Sequence, residues 1–177
     1  MLFRFALFTL LGLFYLTRAN AQTGVTLTYP LIDKDPSHLQ GYRTAFWYQP
    51  SSLTWPSIKI YFDVSFGHWW VNNVPANREI NIYSIAPTLR YYFTQNDSFS
   101  PFFDLSIGAS YLTRTRFAER NLGIYFSFQD QIGLGASFGP EQRLSISLSA
   151  LHYSNGSLAG TNAGITIPLL LNVSYGI

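Results

Sequence analysis

The closing stretch ITIPLLLNVSYGI, residues 165–177, alternates. Ile165, Ile167, Leu169, Leu171, Val173, Tyr175 and Ile177 fall on one face, with Thr166, Pro168, Leu170, Asn172, Ser174 and Gly176 opposite. A period of two marks a β-strand, because successive side chains leave opposite faces of the chain. The pattern recurs. Ile58, Ile60, Phe62, Val64 and Phe66 oppose Lys59, Tyr61, Asp63 and Ser65. Phe103, Leu105, Ile107, Ala109 and Tyr111 oppose Asp104, Ser106, Gly108 and Ser110. Leu144, Ile146, Leu148 and Ala150 oppose Ser145, Ser147 and Ser149.

Alternation alone also fits a soluble sandwich, but composition argues against one. Only 11% of the residues are charged while 18% are aromatic; a soluble domain carries about a quarter charged residues. The polar faces hold mostly small residues with a few charges, as suits a narrow barrel interior. Aromatic residues gather at strand ends, at Trp47 and Tyr48, Trp69 and Trp70, and Tyr91 to Phe93, in the manner of interfacial girdles. The net charge of +2 is too small to suggest a nucleic-acid partner, and without cysteine neither a disulfide framework nor a cysteine metal site is available.

The start, MLFRFALFTLLGLFYLTRANAQ, has an early cation at Arg4, an apolar run from Phe5 to Leu16, and Ala19-Asn20-Ala21. This reads as a signal peptide over 1–21, cut before Gln22. The expected fold of 22–177 is all-β: an eight-stranded antiparallel transmembrane β-barrel of the outer-membrane type. Its strands are expected at 24–29, 42–49, 58–70, 80–93, 102–112, 122–138, 144–154 and 165–177. An even strand number brings both termini to the periplasmic side. Segments 50–57, 94–101 and 139–143 are then periplasmic, and 30–41, 71–79, 113–121 and 155–164 face outward.

Strand 144–154 therefore ascends and ends in His152, Tyr153, Ser154 and Asn155. Its even positions carry the apolar, lipid-facing row, which His152 and Ser154 continue at the level of the outer leaflet. Residues i and i+2 on one strand face lie roughly 6.5–7 Å apart, close enough for a hydroxyl and an imidazole base to meet. A compact turn at 139–143 pairs Phe138 with Leu144, and so Asp130 with His152. Asp130 is thus an acid in an otherwise apolar row. It either caps the apolar band at headgroup level or holds His152 in the correct tautomer.

The run FQDQIGLG (128–135), followed by HYSN (152–155) in the penultimate strand, resembles the outer-membrane lipid A 3-O-deacylases, the PagL family. SHLQGYR (37–43) agrees more weakly. The resemblance implies an outer-membrane esterase that removes the 3-position acyl ester of lipid A, in the lipopolysaccharide of the outer leaflet, by a Ser-His mechanism. It implies no metal and no cofactor. Ser154 would be the nucleophile and His152 the general base, with Asn155 and Gly156 contributing to the oxyanion site. The family's glutamate in the last strand falls here on Thr166, or on Ile167 if one residue is inserted, and no Asp or Glu follows Glu141. Asp130 is therefore expected to supply the acid, or a His-Ser dyad to work unaided. The family's glycine is also displaced, with Gly156 directly after Ser154-Asn155.

Arg114, Arg116 and Arg120 crowd one outer loop, either as a solvated face or as ligands for lipid A phosphates. His68 is expected at the interface, far around the barrel from the penultimate strand. Lys59, Asp63, Arg90 and Asp104 are expected to pair in the lumen. Competing readings are a non-catalytic structural or adhesive barrel, a degenerate deacylase relative, and another lipid-modifying barrel. The pattern leaves a homodimer open.

Overall fold

A computed structural model describes residues 21–177. The expected signal peptide lies outside the described residues, apart from Ala21. The strands are β1 (Gln22–Ile32), β2 (Leu39–Gln49), β3 (Ile58–Val71), β4 (Glu79–Tyr92), β5 (Phe99–Leu112), β6 (Arg116–Phe117), β7 (Arg120–Asn121), β8 (Phe126–Phe138), β9 (Leu144–Ser154) and β10 (Ile165–Gly176). Eight of them close a barrel in the order β1-β10-β9-β8-β5-β4-β3-β2, all neighbours antiparallel, while β6 and β7 form a separate hairpin.

Several boundaries differ from expectation. β1 and β2 reach further toward the outer rim, so the loop between them shortens to 33–38. The expected strand 122–138 begins only at Phe126. Leu122 turns into the core and Gly123 adopts a φ of +80°, which ends regular pairing there.

The outer faces are apolar, as lipid requires: Val64, Ile85, Ile107, Ile132, Leu134 and Leu148 are all exposed. The lumen is divided. Toward the periplasm it is polar. Arg90 donates from Nε and Nη2 to the two oxygens of Asp104, each at 2.8 Å, and lies 3.5 Å from the centre of the Phe102 ring. Asp63 pairs with Arg43 at 2.6 Å, whereas Lys59 turns to Gln142. Toward the outer rim the lumen is an apolar plug that includes Trp69, Ile80, Ile82, Leu112, Phe117, Leu151, Tyr153, Ile165 and Ile167. The barrel is filled rather than open, as expected for eight strands.

One strand changes phase. Below its midpoint β10 follows the expected alternation, with Val173 and Tyr175 exposed and Asn172 buried. A one-residue irregularity between Ile167 and Leu170 then shifts its pairing with β9. Proline has no N–H to give the ladder and is confined to such places within sheets; Pro168 sits there. Above the bulge the faces exchange. Ile165 and Ile167 are fully buried in the plug, not turned to lipid, and Thr166 faces outward.

Candidate active site

β8 and β9 meet in the register that the compact turn implies. Phe138 pairs with Leu144, Asp130 with His152, and Phe128 with Ser154. His152 and Ser154 alternate with buried Leu151, Tyr153 and Asn155, so both lie on the outward face, half-buried, at the top of β9.

The other neighbour of His152 is decided by the bulge. Thr166 pairs directly with His152, and its Oγ1 lies 2.9 Å from His152 Nδ1 in a hydrogen bond. The Cε1–Nε2 edge of the imidazole looks toward Gly164, where a Cβ would stand 3.0 Å from Cε1 and 3.6 Å from Nε2. Nδ1 is therefore tied to β10, and Nε2 is the nitrogen left for chemistry. Asp130, His152 and Thr166 together line an outward groove of about 250 Å³, with Ile107, Ile132 and Ala150 among its apolar walls.

Asp130 is beside His152, as expected, but no hydrogen bond joins the two. Among the described residues its carboxylate makes no hydrogen bond and no ion pair. Ser154 Oγ likewise has no hydrogen-bond partner among the described residues.

Asn155 does a different job from the one the resemblance assigns. Its side chain is buried. Nδ2 donates to the carbonyls of Leu122 (2.9 Å) and Thr161 (2.7 Å), and Oδ1 accepts from the Ser157 N–H. Its backbone N–H donates to Asn162 Oδ1. Both amide protons and the main-chain proton are engaged, so Asn155 orders the loop 155–164 and has no donor to spare. Gly156, with φ +61°, packs against the Phe128 ring and follows this anchored residue.

The three arginines part ways. Arg120 is a clamp: Nε donates to Gly164 O (2.5 Å), Nη2 to Ala163 O, and Nη1 to Asp35 Oδ1 (2.9 Å). Each nitrogen of its fork thus donates to protein, unlike the phosphate-binding role expected for it. Asp35 in turn bridges the backbone of Thr166 through paired hydrogen bonds of 2.8 and 3.1 Å. Arg114 makes an exposed 3.7 Å pair with Glu79. Arg116 is exposed and has no ion pair among the described residues.

His68 is across the barrel, on β3, where Nδ1 meets Asn81 Oδ1 at 2.6 Å and the ring lies between Tyr42 and Trp70. That is the interfacial role expected. Gly164 and the Asp35–Arg120 clamp were not legible as site residues. Thr166 was legible only as the position on which the family's glutamate falls, and Pro168 inside a strand pattern was the available signal that it turns outward.

A family model described as lipid A 3-O-deacylase (PagL) matches residues 39–176. A lipid A deacylase PagL of Pseudomonas aeruginosa is 35% identical over 105 residues, covering 59% of this chain and 58% of that protein. One from Bordetella bronchiseptica is 26% identical over 147 residues, covering 82% of this chain and 79% of that protein. Among solved structures, the outer-membrane enzyme PagL superposes with a TM-score of 0.65 at 24% identity, over 89% of this chain and 100% of that one. Neisserial surface protein A superposes with a TM-score of 0.58 at 10% identity, over 88% and 96%. Fold and relatives together place the chain in the bacterial outer membrane.

Proposed function

The chain belongs to the lipid A 3-O-deacylase (PagL) family, and from that premise we propose that it hydrolyses the 3-position acyl ester of lipid A, with Ser154 as nucleophile and His152 as general base. The observation that carries this is the shared outward face of His152 and Ser154, with Nδ1 tied to Thr166 and the other ring nitrogen unengaged. A lipid-embedded ester needs a site open to lipid at the outer leaflet, and the top of β9 is such a place.

In this reading Ser154 Oγ bonds to the ester carbonyl carbon as its proton passes to His152 Nε2. Negative charge gathers on the former carbonyl oxygen. The Gly156 N–H is the donor assigned to it, because those of Asn155 are engaged. Collapse breaks the ester bond, and the departing alcohol takes the proton back from the imidazolium. Water then attacks the acyl-serine by the same route and releases the fatty acid. Arg116, in the outer loop, is suited to pair with a lipid A phosphate.

The test is mass spectrometry of lipid A from cells expressing the protein or its Ser154→Ala form. Loss of one hydroxyacyl chain with the wild type, and none with the variant, is expected. An unchanged profile with a folded barrel would support a structural role instead.

A further inference from the structure

An orienting carboxylate beside a catalytic histidine does two things. It accepts the Nδ1 proton, which fixes the tautomer and the ring angle, and it offsets the charge of the imidazolium. Here no acid stands at the last-strand position. We infer that the two tasks are divided between two positioning residues: Thr166 fixes the tautomer and angle of His152, and Asp130 supplies the negative charge. This inference rests on the reading of Ser154 and His152 given above.

The geometry for Thr166 is direct. The bulge at 167–170 brings it to the outward face, opposite His152, with Oγ1 at 2.9 Å from Nδ1. A hydroxyl has lone pairs to accept the Nδ1 proton, and Nε2 is then left with its lone pair free. The hydroxyl is itself held. Thr166 is β-branched and stiff about χ1, and its backbone is locked to Asp35, which Arg120 holds against Ala163 and Gly164. A neutral hydroxyl cannot offset an imidazolium, however.

Asp130 can. It is the cross-strand partner of His152 on the other side, at a register where directly opposed Cβ atoms lie about 4.5–5.5 Å apart. It lines the same groove, where apolar walls of Ile107, Ile132 and Ala150 weaken solvent screening. Asp35 and Arg120, on the Thr166 side of His152, are paired with each other. Lacking a hydrogen bond to the ring, Asp130 acts through its charge alone.

The division makes the two residues separable by experiment. Thr166→Val should lower kcat at least tenfold with little change in KM, and Thr166→Ser should restore most of the activity. Asp130→Asn should lower kcat at least tenfold with little change in KM while leaving the His152 tautomer as in the wild type, and Asp130→Glu should restore most of the activity. Thr166→Glu should reunite both tasks and rescue Asp130→Asn. Nitrogen-15 NMR of the refolded barrel gives a readout independent of turnover. With only three histidines in the chain, the His152 signals can be assigned by Thr-independent substitution of His38 and His68. The wild type should show the Nδ1–H tautomer, and Thr166→Val a mixture.

A wild-type Nε2–H tautomer, or a Thr166→Val protein with wild-type kcat and tautomer, would overturn the role of Thr166. An Asp130→Asn protein with wild-type kcat, or one whose His152 tautomer changes, would overturn that of Asp130. Ser154→Ala separates the levels: if it abolishes hydrolysis while Thr166→Val and Asp130→Asn are neutral, the division fails and the proposed function stands. If Ser154→Ala stays active, both fall.

Discussion

Gly164 stands directly against the imidazole of His152. Its φ is +63°, and a Cβ added there would lie 2.9 Å from the Tyr153 carbonyl oxygen and 3.0 Å from His152 Cε1. Glycine is required twice at this place, for the left-handed backbone and for the space. Gly164→Ala should therefore push the ring out of line while the barrel still closes. A misplacement of about 1 Å can cost about 100-fold in rate, so a fall of roughly 10- to 100-fold in deacylation is expected. Lipid A mass spectrometry at matched expression, with gel heat-modifiability as the folding control, measures it.

Arg120 holds two outer loops together through a planar fork, and a lysine cannot reproduce that geometry. Arg120→Lys keeps the positive charge. It should nonetheless loosen the loops 33–38 and 155–164 and lower activity about as much as Arg120→Ala. Limited proteolysis of intact cells reports on the loops. A lysine variant with wild-type activity would instead show that charge alone matters at this position.

Asn155 satisfies the buried carbonyl of Leu122 and the partly buried one of Thr161. Asn155→Ala leaves both without their donor, a loss of about 1–3 kcal/mol. Asn155→Asp should be no better, since it keeps the acceptor and removes both donors. Denaturant unfolding in detergent or lipid vesicles checks the size. Activity should fall in step, because Gly156 follows this anchor.

In the lumen, Arg43 and Asp63 are both buried and paired at 2.6 Å. Removing one partner of a buried pair costs about 3–5 kcal/mol, while replacing both with apolar groups is often close to neutral. Arg43→Ala should therefore destabilise the barrel strongly, and Arg43→Met combined with Asp63→Leu should recover most of the loss. Unfolding midpoints of the single and double variants decide this, and the lipid A profile of the double variant should stay as in the wild type.

Much of the site was readable because antiparallel pairing is governed by parity. Once the turn 139–143 is compact, Asp130 must stand beside His152, and the structure has them paired. The outward placement of His152 and Ser154 follows from the same alternation. The partner on the other side was not readable in this way. A single alternation run through β10 puts Thr166 inside and Ile165 outside, and the structure has the reverse. The loop-closing bonds of Asn155 and Arg120 were unreadable for a related reason. Polar side chains near a site have the chemistry to serve a ligand, but here their hydrogen bonds close loops that are remote in sequence.

By itself, then, the sequence determined the class of fold, the number of barrel strands, their up-and-down order, and, the upper end of the last strand apart, which face of each long strand meets lipid. These are local properties, set by a period of two and by the exclusion of charge from hydrocarbon. Only the tertiary structure decided what touches the imidazole. That depended on one extra residue at the Pro168 bulge, which reversed the upper end of the last strand, and on a clamp from Arg120 to Asp35 that joins residues 85 positions apart. A bulge arises from the fit between two neighbouring strands, so it belongs to the closed barrel and not to either strand alone.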